Sequence, residues 1–267
     1  MTWGRVGGPD DAQVREVLEA QAIIERVRRI SATLQRLDLA VEAGHRDVAP
    51  GQFFLARTGE SYDPYLREPW IPVGRRGAHI VVERPAGQVY TPGQIVNLVG
   101  PVGKPIPAHP ATRALLLIAW DASPASLLML ADLTLGRGGA VTLALIGHAR
   151  RYPLDALPAE LEVLFAADLD GWPERERSLT WADQVIAVAP PAFASPAYSR
   201  LLEAIRLARL EVAAGFALGL FHAPMPCGVG ACQACLVSLK GGDVAACVEG
   251  PAFDLLEVRI GGDREQR

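Results

Sequence analysis

Two kinds of hydrophobic pattern divide the chain near residue 110. Before that point, short segments alternate apolar and polar residues and are separated by Pro-Gly and Gly-rich turns. Such alternation is typical of strands with one buried face, and several in succession predict a small antiparallel β-barrel. The predicted strands are 22–27, 32–41, 52–56, 78–82 and 95–99.

After residue 110 the pattern changes to strands that alternate with helices. Residues 114–120 form a continuous apolar run, as expected for a parallel strand buried on both faces. Residues 123–136 and 195–210 predict helices, each with a proline near its first turn. The further predicted strands are 140–146, 161–166 and 184–189. This order predicts a doubly wound α/β arrangement.

These patterns predict an α+β multidomain chain. An N-terminal extension covers residues 1–17, and an antiparallel β-barrel covers 18–108. A small α/β domain with a parallel sheet covers 109–211, and a cysteine-rich domain covers 212–267.

Composition narrows the class of protein. The 267 residues are half apolar, 21% are charged, and the net charge is -4. This is the composition of a globular protein, and its negative charge argues against a nucleic-acid partner. No segment reaches the roughly 18 apolar residues of a membrane span, and the N-terminus lacks the pattern of a signal peptide. We therefore expect a cytoplasmic protein with reduced thiols and no membrane partner.

All four cysteines belong to one motif, Cys227, Cys232, Cys235 and Cys247, with the spacing C-x4-C-x2-C-x11-C. The plant-type [2Fe–2S] cluster is held by four thiolates with this C-x4-C-x2-C spacing and a more distant fourth cysteine. Gly228 and Gly230 allow the loop to curl so that backbone N–H groups approach the sulfur atoms. The sequence therefore predicts a [2Fe–2S] site.

Two other interpretations of the cysteines stay open. Structural zinc sites usually contain two CxxC-like pairs, whereas this chain contains one. Disulfides would need an oxidising compartment. His222, five residues before Cys227, is a candidate for tuning a cluster through its imidazole. The histidines are scattered along the sequence, and no serine lies in the Ser/His/Asp pattern of a hydrolase triad. We therefore assign no catalytic residues.

The cysteine motif and the run Cys247-Val248-Glu249-Gly250-Pro251-Ala252-Phe253 resemble the electron-transfer subunit of class 1B dihydroorotate dehydrogenase, a family of the ferredoxin-NADP reductase superfamily. Pro50-Gly51-Gln52-Phe53 and Gly100-Pro101-Val102-Gly103 resemble turns of that family's barrel. The resemblance covers about residues 20–260 in layout and is most specific at 227–253.

This resemblance implies a ferredoxin-reductase-like barrel that binds FAD, a nucleotide-binding-like α/β domain and a [2Fe–2S] domain. It implies an electron-transfer subunit in pyrimidine biosynthesis that exchanges electrons with a flavin-containing catalytic subunit in a hetero-oligomer. The cluster moves one electron at a time, whereas a flavin converts this to the two-electron chemistry of a nicotinamide.

The chain departs from the family in its flavin motif, an Arg, Pro, aromatic, Ser/Thr run. Glu68 stands at the arginine position and Ile71 at the hydroxyl position. Arg67 and Trp70 are therefore the candidate FAD contacts, with a core aromatic as the other interpretation of Trp70. A carboxylate at position 68 would repel a pyrophosphate.

Further departures affect the phosphate-binding turns. No glycine pair follows 78–82, Asp121 follows 114–120, and Val188-Ala189-Pro190 replaces the family's Cys-Gly-Pro. The sequence thus favours an electron-transfer subunit, which is an oxidoreductase component that keeps the cluster. Binding of FAD stays possible, and binding of NAD is not expected. The alternatives are a complete FAD- and NAD(P)-dependent reductase, and a structural or regulatory subunit stabilised by its cluster.

Overall fold

A computed structural model of the chain describes residues 18–59, 66–109 and 111–259. The predicted extension, residues 1–17, lies outside the described residues. Within the described residues, no helix is long and apolar enough to span a bilayer. The first sheet of the described residues contains the strands β1 (Leu18–Arg29), β2 (Leu34–Ala40), β3 (Phe53–Arg57), β4 (Glu68–Trp70), β5 (Pro72–Arg76), β6 (His79–Pro85) and β7 (Ile95–Val102).

This sheet forms a nearly closed antiparallel barrel, which confirms the prediction. Its strand order is β4-β3-β7-β1-β2-β6-β5, and every neighbouring pair is antiparallel. The edge strands β4 and β5 are joined by Ile71 alone, so the sheet curls back on itself. Alternation places Ala22 and Ile24 inside the barrel and Ile23 outside. Trp70 and Phe54 are the largest side chains of this interior.

The second sheet is mostly parallel. The remaining strands are β8 (Ala114–Trp120), β9 (Ala140–Ile146), β10 (Glu162–Ala166), β11 (Gln184–Val188), β12 (Ala217–Leu220), β13 (Leu236–Leu239), β14 (Gly242–Ala245) and β15 (Ala252–Asp254). The helices of the described residues are α1 (Ala43–Arg46), α2 (Ala125–Gly136), α3 (Arg175–Trp181), α4 (Ala194–Ala208) and α5 (Ala246–Glu249). The order β10-β9-β8-β11-β12-β15 is parallel except where β15 pairs with β12, which confirms the predicted α/β arrangement.

The C-terminal segment contributes to two places in the molecule. Strands β13 and β14 form a separate hairpin, whereas β12 and β15 extend the second sheet. The boundary expected between residues 211 and 212 stays a prediction. Strand pairing across that point attaches the cysteine-bearing segment firmly to the α/β unit.

Helix α2 lies between the two sheets. Leu127 and Leu130 pack in the core of the second sheet, and Met129 packs in the core of the barrel. Beside it, Arg36 of β2 pairs with Glu83 of β6 at 2.8 Å. Tyr152, which follows β9, donates its hydroxyl to Glu83 at 2.5 Å. Helix α2 and one polar network therefore join the barrel to the α/β unit.

Candidate iron–sulfur centre

The loop that carries three of the cysteines is fixed at both ends by regular structure. It follows β12 and leads into the β13–β14 hairpin, and Cys247 lies on α5 directly after that hairpin. Leu236 of β13 pairs with Ala245 of β14, so the hairpin returns the chain to the loop. The Ala246 N–H donates to the Cys235 carbonyl at 2.9 Å. The hairpin thus brings the fourth cysteine to the other three.

The four thiols form two pairs with different surroundings. Cys227 shares a hydrogen bond with Cys232, and Cys247 shares one with Cys235 and also lies near enough to Cys227 to interact with its charge. Cys235 and Cys247 are buried, Cys227 is partly exposed and Cys232 is exposed. The two ligand candidates on the exposed side therefore face the surface, while the other two face the protein interior.

The thiol pKa values differ for physical reasons. Burial alone would raise the pKa of Cys227, but backbone N–H groups, including that of Val229, lower it to about 7. Burial and the hydrogen bond with Cys235 raise the pKa of Cys247 to about 12, although the Gly230 N–H donates to its Sγ at 3.2 Å. If Cys235 and Cys247 are both thiolates, two negative sulfur atoms lie side by side in the protein interior. This arrangement requires compensating positive charge, which iron ions supply when a cluster is bound.

The loop geometry fits a cluster. Gly228 and Gly230 have φ angles of 67° and 76°. A Cβ at Gly228 would lie 2.7 Å from Leu55 Cδ1, so this position has no room for a side chain. In the part of the chain that the structure describes, no three His, Cys, Asp or Glu side chains form a single-ion site. Two thiol pairs suit a core with two iron atoms.

The cysteine segment packs on the outer face of the barrel. Phe53, Leu55 and Val102 of β3 and β7 form one hydrophobic cluster with Cys235 and Cys247. The cysteine segment also exposes apolar side chains. Three large side chains of this segment are exposed, and they are Val229, Leu236 and Val248. We call these three residues the cluster rim.

His222 lies close to the cysteines in sequence. Residue 222 as a whole is partly exposed, but its Nε2 is buried and has no hydrogen-bond partner among the described residues. Burial lowers the pKa of this imidazole to about 4. The ring is therefore neutral near neutral pH.

The two candidate flavin residues lie on different sides of the β4 region. Arg67 donates to the side chains of Asn97 and Glu19, the latter at 2.9 Å. Trp70 is buried and lines a cavity of about 300 Å³ at one end of the barrel. Arg84 of β6 lies next to two of the lining residues: it pairs with Glu68, and its guanidinium carbon lies 5.0 Å from the centre of the Trp70 ring.

Asp121 occupies the edge of the second sheet at which α/β proteins bind nucleotides, the carboxyl ends of the parallel strands. It has a φ angle of 53° and accepts a hydrogen bond from the His148 N–H at 2.7 Å. Its carboxylate therefore takes a backbone donor that a phosphate would otherwise use. A larger cavity of about 660 Å³ lies at the opposite edge, near Gly139 and Glu162.

Sequence reasoning missed Arg84 and Tyr90, which lie beside Glu68 and Trp70. Both belong to the region after 78–82, which shows only the loss of a glycine turn. The only signal in the sequence was a basic residue, Arg84, two positions after the predicted strand 78–82. That position alone does not indicate which acidic residue Arg84 pairs with. Only the barrel's closure reveals that β4 and β6 meet.

Comparisons with known proteins give the family context. The family model described as the iron–sulfur cluster binding domain of dihydroorotate dehydrogenase B matches residues 222–259. The electron transfer subunit of dihydroorotate dehydrogenase B (NAD(+)) from Desulforamulus reducens is 30% identical over 242 residues, which cover 80% of this chain and 87% of that protein.

Solved structures share the fold. An NADH-dependent reduced ferredoxin-NADP oxidoreductase is 19% identical with a TM-score of 0.66, and the match covers 90% of each chain. A ferredoxin NADP+ reductase from Neisseria gonorrhoeae with bound FAD and NADP is 15% identical with a TM-score of 0.54, covering 69% of this chain and 91% of that one. At sequence identities of 19% and 15%, these matches show a shared fold alone.

Proposed function

Because the chain belongs to the family of dihydroorotate dehydrogenase B electron-transfer subunits, we propose that it relays electrons through a [2Fe–2S] cluster to or from a flavin-bearing catalytic partner. The cluster, when bound, supplies redox chemistry in single-electron steps. Cys227, Cys232, Cys235 and Cys247 would hold it. The observation that carries the proposal is their meeting as two thiol pairs, with three thiols from one loop, the fourth from α5, and Cys232 exposed.

The surrounding residues position and shield the thiolates. The Gly230 N–H donates to the Cys247 sulfur and lowers its negative charge density. Phe53 and Leu55 of the barrel exclude water from the buried thiol pair. The ion pair of Lys104 with Glu249 at 2.5 Å and the 2.6 Å bond from the Lys104 N–H to the Gly250 carbonyl hold α5 against the barrel.

The partner would contact the cluster rim. Its three exposed apolar residues belong to the segment that carries the four thiols, and apolar area at the centre of an interface favours association. By analogy with the family, we propose a hetero-oligomer with a dihydroorotate dehydrogenase-like catalytic subunit in pyrimidine biosynthesis. A cluster held by four thiolates needs reduced cysteines, and a reducing cytoplasm supplies this condition.

The complete reductase, which would oxidise NADH itself, is less well supported. Asp121 places a carboxylate at the nucleotide edge of the second sheet and uses the His148 N–H. A pyrophosphate at this edge would meet negative charge instead of free N–H donors. Electrons would therefore enter or leave through the partner protein.

Substitution of the exposed ligand candidate tests the proposal. Purified without air, the protein should show the visible absorption of a [2Fe–2S] cluster and a paramagnetic signal after reduction by one electron. Cys232→Ser should remove or strongly shift both signals. Val229→Ala is the matched control on the rim; it should keep the spectrum and weaken binding to the catalytic subunit. An unchanged spectrum in Cys232→Ser would falsify the ligand assignment.

A further inference from the structure

One peptide group of the barrel lies between a buried glutamine and the end of helix α5. The Gly103 carbonyl accepts a hydrogen bond from Gln52 Nε2 at 2.9 Å. In the same peptide group, the Lys104 N–H donates to the Gly250 carbonyl at 2.6 Å. A trans peptide group is planar, and its C=O and N–H point in opposite directions. One rigid plane therefore links Gln52 to Gly250.

Gln52 is itself held in place on the barrel side. It is 1% exposed, and its Oε1 accepts a hydrogen bond from the Ala49 N–H at 3.0 Å. The same turn meets the segment after Lys104 a second time, where the Ile106 N–H donates to the Pro50 carbonyl at 2.8 Å. A buried amide with partners at both ends keeps its neighbours in one arrangement. Gln52 thus fixes the direction in which the Lys104 N–H points.

Gly250 connects this peptide group to a cysteine. The Gly250 N–H donates to the Ala246 carbonyl at 3.0 Å, which closes the turn of α5 that carries Cys247. The approach of the barrel is close, because a Cβ at Gly103 would lie 2.9 Å from the Gly250 carbonyl oxygen. Cys247 is 2% exposed. A movement of α5 away from the barrel would therefore uncover a buried thiol.

The two barrel turns of this connection are the runs Pro-Gly-Gln-Phe at 50–53 and Gly-Pro-Val-Gly at 100–103. Their apolar members, Phe53 and Val102, belong to the hydrophobic cluster that contains Cys247. The polar member, Gln52, makes no contact of this kind and acts through the backbone alone. The turns therefore supply both apolar cover and a polar anchor to the cysteine segment.

We propose that Gln52 is a positioning residue of the iron–sulfur centre, which orients the Gly103–Lys104 peptide group and through it holds Cys247 in place. The inference rests on the proposed function, because it assigns a further residue to the same site. Without the glutamine amide, the peptide group is free to rotate, and its N–H leaves the Gly250 carbonyl. The end of α5 then opens more often, and water reaches Cys247.

Alkylation of Cys247 by iodoacetamide in the reduced, cluster-free chain tests the inference without iron. Mass spectrometry of the peptides follows each cysteine separately. Gln52→Met keeps the length of the side chain and removes its two hydrogen bonds with the backbone. Labelling of Cys247 should become about tenfold faster, because local opening of α5 becomes easier.

Gln35→Met is the matched control for this substitution. Gln35 is also buried in the barrel, at 7% exposure, and its Nε2 donates to the Pro85 and Gln88 carbonyls. These bonds stay on the β2 and β6 side of the barrel. Gln35→Met should lower the free energy of unfolding as Gln52→Met does, but it should leave the labelling of Cys247 unchanged.

The protein with its cluster gives a second readout. Transfer of iron to a chelator should be about tenfold faster in Gln52→Met than in the wild type. The g values of the reduced cluster should also shift, because they report the geometry and hydrogen bonding of the ligands. In Gln35→Met the iron transfer rate and the g values should match those of the wild type.

A second variant disturbs the same contact from the other side. Gly103→Ala places a Cβ 2.9 Å from the Gly250 carbonyl oxygen, at a φ angle of 84°. Gly93 has a φ angle of 87° with no atom within 4 Å of an added Cβ, so Gly93→Ala is the control for backbone strain. Only Gly103→Ala should accelerate labelling of Cys247. Combined with Gln52→Met, the two accelerations should not multiply, since both variants break one connection.

Equal labelling rates of Cys247 in Gln52→Met and Gln35→Met would overturn the inference, and so would accelerations that multiply in the double variant. If Gln52→Met does not fold, Gln52→Asn replaces it, because its shorter amide does not span both partners, and Gln35→Asn becomes the control. A wild-type chain that binds no cluster would contradict the proposed function and leave the labelling comparison intact. The two failures therefore give different results.

Discussion

A buried imidazole precedes the cysteine loop and links stability to pH. Burial lowers the pKa of His222 to about 4, from 6.5 when the residue is exposed. The group is neutral in both states above the unfolded pKa. As the pH falls from about 7 to about 5, the unfolded chain takes up this proton first, so the free energy of unfolding falls by up to about 2 kcal/mol.

Urea unfolding of the wild type and His222→Gln between about pH 7 and pH 5 measures this contribution. The variant keeps all four cysteines, so acid effects on the cluster are common to both proteins. Its free energy of unfolding should depend less on pH, by about the same 2 kcal/mol. Parallel curves for the two proteins would mean that His222 is solvated or paired in solution.

Individual residues differ in how far the sequence reveals them. The cysteines are predictable, since the spacing of ligands around a cluster is a local property of the chain. The change to Glu68 was also visible, but its ion pair with Arg84 was not. Its partner Arg84 lies 16 residues away on another strand, so only barrel closure brings the two together.

At the scale of elements, the cysteine loop and the barrel are joined through a glycine. Gly228 has a φ angle of 67°, and an added Cβ would lie 2.7 Å from Leu55 Cδ1 and 3.2 Å from Val102 Cγ2. Gly228→Ala should therefore combine backbone strain with a clash and cost about 2–3 kcal/mol in unfolding free energy. The cluster content of the purified protein should also fall.

Gly77→Ala is the matched control for this substitution. Gly77 has a φ angle of 59°, and an added Cβ would have no atom within 4 Å. It should cost only the backbone strain, about 1 kcal/mol, and leave the cluster content unchanged. Equal losses of stability in urea unfolding for the two variants would contradict a tight contact between the loop and the barrel.

The elements that the sequence predicted are those with strong, continuous patterns. The apolar runs of β8 and β9 match the predicted bounds, because parallel strands buried on both faces need no polar positions. Strands β4 and β5 were not predicted, since Pro69 and Pro72 interrupt their pattern. Both are edge strands, where a missing N–H is tolerated.

At the scale of the whole molecule, a buried ion pair joins the barrel to the α/β unit. The side chains of Arg36 and Glu83 are 15% and 4% exposed and lie 2.8 Å apart. Arg36 also donates to the Ala156 carbonyl at 2.8 Å, and Tyr152 donates to Glu83. Burial and Glu83 together raise the pKa of Tyr152, so its hydroxyl stays protonated and continues to donate.

Removal of one charge of the Arg36–Glu83 pair should therefore lower the free energy of unfolding more than removal of both charges. Arg36→Met leaves Glu83 charged and buried, and it should lower the unfolding free energy by about 3 kcal/mol. The double variant Arg36→Met with Glu83→Leu should be more stable than Arg36→Met, since no unpaired charge remains. Arg177→Met, in an exposed pair, should change it by less than about 0.5 kcal/mol. Urea unfolding gives all three values, and additive losses in the double variant would refute coupling through this pair.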